Sequence, residues 1–435
     1  MKNPPAPAAP VAPGSPLPAA PAPAGAAGAA RAITGGPRHH FFGYYGISPW
    51  NASERLYACL ESAFHERMPL PGERAAIGVV ELDGGRFREV GTTAAWNLQQ
   101  GAMLHWLPPA AETLLIGNDL DAAAGCFRPV VLDVAGGGRR VVPAPVGIGA
   151  VAPDGRAALG LDYARLHNQR PVVGYAGADD RTRGVRCPDD DGVWRIDLET
   201  GATDLVLSHA AAFAAAGAGA AAAGDPVPPL ARERPLFFNH TLYNPAGSRF
   251  MVFLRYFDAR GRLDSAVLSA GAGGEDLRCL IPWGHAPSHF DWLSRDELMI
   301  TVSRPGGAAG DQATGGDRLY VLLKDTPDGG WAARRALGGG RDGVLVSEGH
   351  PSFSPDRSCF VFDGGADVSG ARPLRLYDMA GEREIELGRY YAAPQFKGDV
   401  RCDLHPRWNR SGTQASFDSV HEGSRQVYVI DVRRP

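Results

Sequence analysis

Four histidines at one repeated position are the residues of this sequence best placed to do chemistry. His240, His289, His350 and His405 each stand second in a fifteen-residue stretch: NHTLYNPAGSRFMVF, SHFDWLSRDELMITV, GHPSFSPDRSCFVFD and LHPRWNRSGTQASFD. An aromatic residue follows each histidine three positions on: Tyr243, Trp292, Phe353 and Trp408. The histidines are 49, 61 and 55 residues apart, too far for a sequence-local metal motif. Such spacings match one propeller blade with its loops, and equivalent positions in successive blades surround one axis. Three converging neutral imidazoles would suit a divalent transition metal such as Mn, Fe, Ni or Zn. A fourth, unliganded, would titrate near ~6.5 and could move a proton at neutral pH.

The scaffold that must bring them together is legible in the same template. Three weaker copies lie in the first half: GISPWNASERLYACL from Gly46, AMLHWLPPAAETLLI from Ala102 and GIGAVAPDGRAALGL from Gly147. Most copies lead, after a loop, to a strand ending in Asp and a turn, as in VVELDGG, VWRIDLETG, LRLYDMAGE and VYVIDV. Strand, polar turn, strand, loop, strand, turn is a β-meander. Seven in series predict an all-β, seven-bladed β-propeller over residues 37–435. Residues 1–36 are expected to be a disordered tail. Within the first thirty, nine prolines and twelve alanines leave almost nothing to bury.

A histidine in a propeller blade has a simpler explanation than catalysis. WD-type blades open with Gly-His and close near Trp-Asp, and their histidine serves an internal hydrogen-bond network. Gly349-His350, Tyr377-Asp378 and Ile430-Asp431 fit that pattern. A blade-building requirement should recur around the ring, however. The template puts Ile47, Met103 and Ile148 at the histidine position of the first three blades. Histidine confined to four consecutive blades predicts a polar site on one side of a channel.

Several neighbours join the candidate set. Asp399, Arg401 and Asp403 lead into His405, while Arg255 and Arg304 follow the second strands of their blades. An insertion from Tyr163 to Gly192 carries Arg165, Arg170, Arg181, Arg183, Arg186 and Tyr175. It reads either as a solvated loop or as a flap presenting guanidinium groups to an anion. The stretch from His209 to Gly224 is nearly all Ala and Gly and reads as a linker or marginal helix. His39 and His40, at the edge of the first blade, are expected to be exposed.

Composition narrows the partners and the compartment. A net charge of −4 with no basic stripe argues against nucleic acid. No apolar run is long enough to span a membrane. Six scattered cysteines without a CxxC pair read as free thiols in a reducing, cytoplasmic compartment.

The motif His-x-x-aromatic-x-x-x-Gly and the closing stretch LHPRWNRSGTQASFDSVHEGSRQVYVIDV resemble the oligogalacturonate lyases and the wider TolB-like propellers with Pro-Asp repeats. The resemblance covers most of residues 38–435 and is strongest in the last four blades. It implies a cytoplasmic, seven-bladed, manganese-dependent enzyme that cleaves acidic oligosaccharides by β-elimination. On matching positions it makes His289 the base and His350 and His405 metal ligands. It places the family's arginine near the substrate around Arg260 to Arg262, with Arg262 as the catalytic candidate. His240, Arg255, Arg304 and Arg401, from their places in the blades, are the candidate substrate-binding residues. Where the family has a second ligand histidine, this chain has Asp403, a harder donor, and Val400 stands near the family's glutamine. A non-catalytic propeller, binding a glycan or a protein partner, is the alternative that this departure keeps open.

Overall fold

The computed structural model describes residues 29–303, 318–337 and 349–434. These form seven four-stranded antiparallel sheets, the blades of one propeller. Blades 1 to 6 span 39–93, 105–141, 147–208, 237–281, 290–336 and 352–391. Blade 7 takes its three inner strands from 407–431, and its outermost strand is Arg31–Ala32. Arg31 pairs with Val429 and Ala32 with Tyr428, so the two ends of the chain share one sheet and close the ring. That strand lies inside the segment assigned to the tail, most of which falls outside the described residues.

The recurring aromatic residue has a physical reason. Trp106 donates its indole N–H to Pro49 O at 2.7 Å, Trp292 to Leu242 O at 3.3 Å and Trp408 to Ser352 O at 2.9 Å. Each tryptophan buries its ring between blades and ties its blade to the preceding one. The polar turn after it is equally specific. Asn51, Asn244 and Asn409 each accept backbone N–H bonds from residues four and five positions on, which closes the turn between first and second strands.

A third ring of contacts bears on the site. Asn118, Asp363 and Asp418 occupy one register position, each two residues beyond the last pair between the first and second strands of its blade. Asn118 accepts from Ile148 N at 2.7 Å, Asp363 from His405 N at 3.1 Å, and Asp418 from Gly43 N at 2.9 Å. Each therefore clamps the innermost strand of the following blade.

Two insertions are well ordered, the second as the helix that was one of its two expected forms. Residues 209–223 form a regular helix capped by the Ser208 side chain and by left-handed Gly224. Ala212, Ala216 and Ala220, spaced at i, i+4, bury one face against blade 4, which explains why a run of alanines is ordered. In the arginine-rich insertion, helix Tyr163–Gln169 starts at an Asp162 cap, and Tyr175 stacks on Tyr163 with centroids 4.4 Å apart. Arg165 is buried and donates to the carbonyls of Leu236, Thr182 and Val185. It holds the insertion together and presents no charge to a ligand. His39 and His40 also depart from expectation: both lie in the first strand of blade 1, and His40 is buried between Gln426 and Glu61.

Candidate metal and acid-base site

The inner strands bend where the histidines sit. His240 and His405 have left-handed backbone, φ 58° and 45°, in a region that non-glycine residues seldom occupy. In blade 4 this bend breaks the strand register between Asn239 and Leu242. The bends turn these side chains into the channel, where a cavity of about 690 Å³ opens on one face of the ring.

His350 and His405 meet there, with Nε2 atoms 3.2 Å apart. Behind them, Asp363 accepts from His350 Nδ1 at 2.9 Å, from His350 N at 2.7 Å and from His405 N at 3.1 Å. A carboxylate only accepts, so His350 Nδ1 carries a proton, and its Nε2 faces His405. Burial opposes the charge on Asp363, but the adjacent His350 overrides it and holds the carboxyl well below the usual range. Burial drives the His405 pKa far down, which keeps that imidazole neutral. Two imidazole nitrogens 3.2 Å apart, one ring fixed by a carboxylate behind it, could serve as adjacent ligand positions on one cation.

Asp403 completes a group of three whose donor atoms lie within 4.8 Å of one another. Its carboxylate is already engaged, Oδ1 with Arg372 at 2.9 Å and Oδ2 with Arg401 at 2.6 Å. Burial alone would raise its pKa, yet Arg401 and Arg372 hold it well below the carboxylate range. It is an anion in every relevant condition, shared between two guanidinium groups.

His289 packs on this cluster, its ring centroid 4.0 Å from that of His350. His240 lies beside them and forms a 2.8 Å hydrogen bond between its Nδ1 and the Tyr44 hydroxyl. Burial, reinforced by Arg255, lowers the His240 pKa strongly. Arg255 is itself buried, stacks over Phe253 at 4.2 Å, and lines the cavity. Arg170, Arg318, Arg372, Arg375, Arg389 and Arg401 also line it, against three aspartates, so the wall is predominantly cationic.

The structure thus brings together His240, His289, His350, His405, Asp403, Arg255 and Arg401. Arg262 is elsewhere: it sits exposed in a turn, ion-paired with Asp258 at 2.8 Å, and does not line the cavity. Arg304 lies outside the described residues. Of the insertion's five arginines only Arg170 reaches the cavity.

Blade 1 corrects the one-sided picture. Its inner strand is interrupted between Phe41 and Trp50, and the intervening loop carries Tyr44 and Tyr45 into the channel. Tyr45 contacts His350, His405 and His289 at centroid distances of 4.9, 5.9 and 6.3 Å. The signal was Gly43-Tyr-Tyr-Gly46, with both glycines at positive φ. At Gly43 a Cβ would come within 2.4 Å of Gly101 N, so only glycine lets the loop enter. Asp363 was also missed, although it closes the third histidine copy at the position Asp418 fills in the fourth.

Fold and site together define a seven-bladed β-propeller with a polar centre built around histidines. No sequence-family model matches the chain, and no curated protein sequence matches it. Among solved structures, it is similar to an oligogalacturonate lyase in complex with manganese: TM-score 0.61 and 13% identity, over 92% of each chain. It is likewise similar to the oligogalacturonate lyase of Vibrio parahaemolyticus, with TM-score 0.60 and 11% identity over 92% of this chain and 93% of that one. At such identities the likeness establishes a shared fold, that of the oligogalacturonate-lyase propellers. No helix among the described residues is long and apolar enough to cross a membrane.

Proposed function

We propose that this protein is a divalent-metal-dependent lyase that cleaves an acidic, uronate-containing oligosaccharide by β-elimination. The observation that carries the reading is the packing of His289 against the His350–His405–Asp403 group inside an arginine-lined cavity. His350 and His405 would hold the metal, manganese by analogy with the first of those structures, with Asp403 as third donor. When bound, it would supply Lewis-acid stabilisation of the negative charge that develops on a substrate carboxylate.

The chain's own residues account for the remaining requirements. His289 accepts the proton from the carbon next to the uronate carboxylate. The released electron pair forms the carbon–carbon double bond, the glycosidic C–O bond breaks, and the departing oxygen takes a proton from water. Arg255, Arg170 and Arg318 offer forked donors to the carboxylates of the oligomer. Tyr45 packs against three of the imidazoles and restricts their orientation. The six cysteines form no disulfide, which supports a reducing, cytoplasmic compartment.

The test is to load the full chain with manganese and follow the ultraviolet absorbance of the unsaturated product on a panel of uronate oligomers. Product that disappears with His289→Ala is expected. A metal-loaded protein inactive on every oligomer sinks the lyase reading. One observation favours a second reading, a non-catalytic glycan-binding or protein-interaction propeller. Arg372 and Arg401 already neutralise Asp403, as two guanidinium groups would in a site that needs no metal. Ligand binding that survives His350→Ala with His405→Ala would select it.

A further inference from the structure

We infer that His39, His65 and Glu66 form a second divalent-cation site, distinct from the histidine group of the channel and suited to a borderline transition metal such as zinc. The three offer one donor atom each within 4.8 Å of one another. The fold creates the group from distant parts of blade 1. His39 pairs with Ser62 at the end of the second strand, and the turn beyond it returns His65 over His39. The two imidazoles stack with centroids 3.7 Å apart and planes 16° apart, so their in-plane lone pairs run side by side, and one ring has to turn about its Cβ–Cγ bond for both to reach one ion.

What points to a ligand is the state of their nitrogens. His65 is only 7% exposed. The Nδ1 atoms of both His39 and His65 are shielded from solvent and have no hydrogen-bond partner in the structure. Next to them, His40 satisfies both of its ring nitrogens with Gln426 and Glu61. Burying polar nitrogens without partners is unfavourable, and two side by side call for a shared electrophile. Glu66 adds a carboxylate at the exposed edge, its Oε2 held by the His65 backbone N–H at 2.9 Å. Two imidazoles and one carboxylate, with a position open to water, are a donor set that zinc accepts. Arg425 is the cation facing the group, and its guanidinium donates to the carbonyls of Leu98, Val400 and Arg401. Glu66 offsets its charge.

A cation here would brace one wall of the channel. Phe396 packs on His65 with centroids 4.6 Å apart, and its loop runs on to Arg401 and Asp403. The second site therefore supports the loop that carries Asp403.

The test is metal stoichiometry on the full chain, stripped with chelator, reloaded with zinc alone, dialysed and analysed by mass spectrometry. Wild type should bind one equivalent more than His39→Ala/His65→Ala. The His350→Ala/His405→Ala protein should keep the equivalent that the first variant loses. Equal stoichiometry in wild type and His39→Ala/His65→Ala overturns the inference, as does loss of all zinc from His350→Ala/His405→Ala. If the first variant does not fold, Glu66→Gln carries the test, since Glu66 is exposed. It should weaken the second zinc on the order of tenfold, and unchanged affinity overturns the site. Activity enters none of these readouts, so failure here leaves the lyase reading standing.

Discussion

Blades 2 and 7 bend their inner strands at the same place and put different side chains there. Met103 and His405 both have left-handed backbone, φ 51° and 45°. Met103 is buried among apolar residues of the core, whereas His405 faces His350 across 3.2 Å. A similar contrast holds on the second strands of blades 2 and 6. Asn118 and Asp363 both clamp the next blade's inner strand, through Ile148 N and His405 N. Asp363 also accepts from the His350 ring, and Asn118 instead donates to the Ile148 carbonyl. The backbone device therefore belongs to the propeller, and the residue placed on it decides whether the blade supports the ring or serves the site.

The comparison breaks most visibly if the histidines prove as structural as the methionine. His289→Ala should reduce turnover by about 10²–10⁴-fold while leaving bound manganese unchanged by elemental analysis. His350→Ala should remove the channel metal and, with it, product formation. Met103→Ala should do neither, but should lower stability by about 2–5 kcal/mol in denaturant titrations. A Met103→Ala protein that loses metal, or a His350→Ala protein that keeps it, would erase the distinction.

Asp363 sharpens the comparison at an intermediate scale. Asp363→Asn keeps the shape of the clamp but removes the anion behind His350. Manganese affinity should fall by about 10–100-fold in calorimetric titration. Asn118→Ala, at the equivalent position in blade 2, should change stability and leave the metal affinity as it was. The smallest expected effect is at Tyr44. Tyr44→Phe removes the 2.8 Å bond to His240 and should cost about 1 kcal/mol in stability. Metal content should not move, because His240 is outside the metal group.

Much of this contrast could be read along the chain. The blade template located the seven inner strands because indole donors and turn-closing asparagines impose fixed residue types at fixed offsets. The four histidines were visible for the same reason. The template failed at blade 1, where it assigned Ile47 to the channel and the loop carrying Tyr44 and Tyr45 fills it. That loop exists because Gly43 and Gly101 approach within a distance no side chain allows, and such a contact has no periodicity. Arg262 was misplaced for the opposite reason: its local partner Asp258, four residues earlier, holds it at the surface.

By itself the sequence determined the number of blades and the four blades that carry imidazole. These follow from short-range rules of strand pairing and turn closure, which every copy must satisfy separately. Only the tertiary structure decided which histidines touch. It set the Nε2 atoms of His350 and His405 3.2 Å apart, placed Asp363 behind both and gave Asp403 two arginines. Those contacts join residues up to 55 positions apart in adjacent blades, where ring closure, and no local pattern, sets the distance.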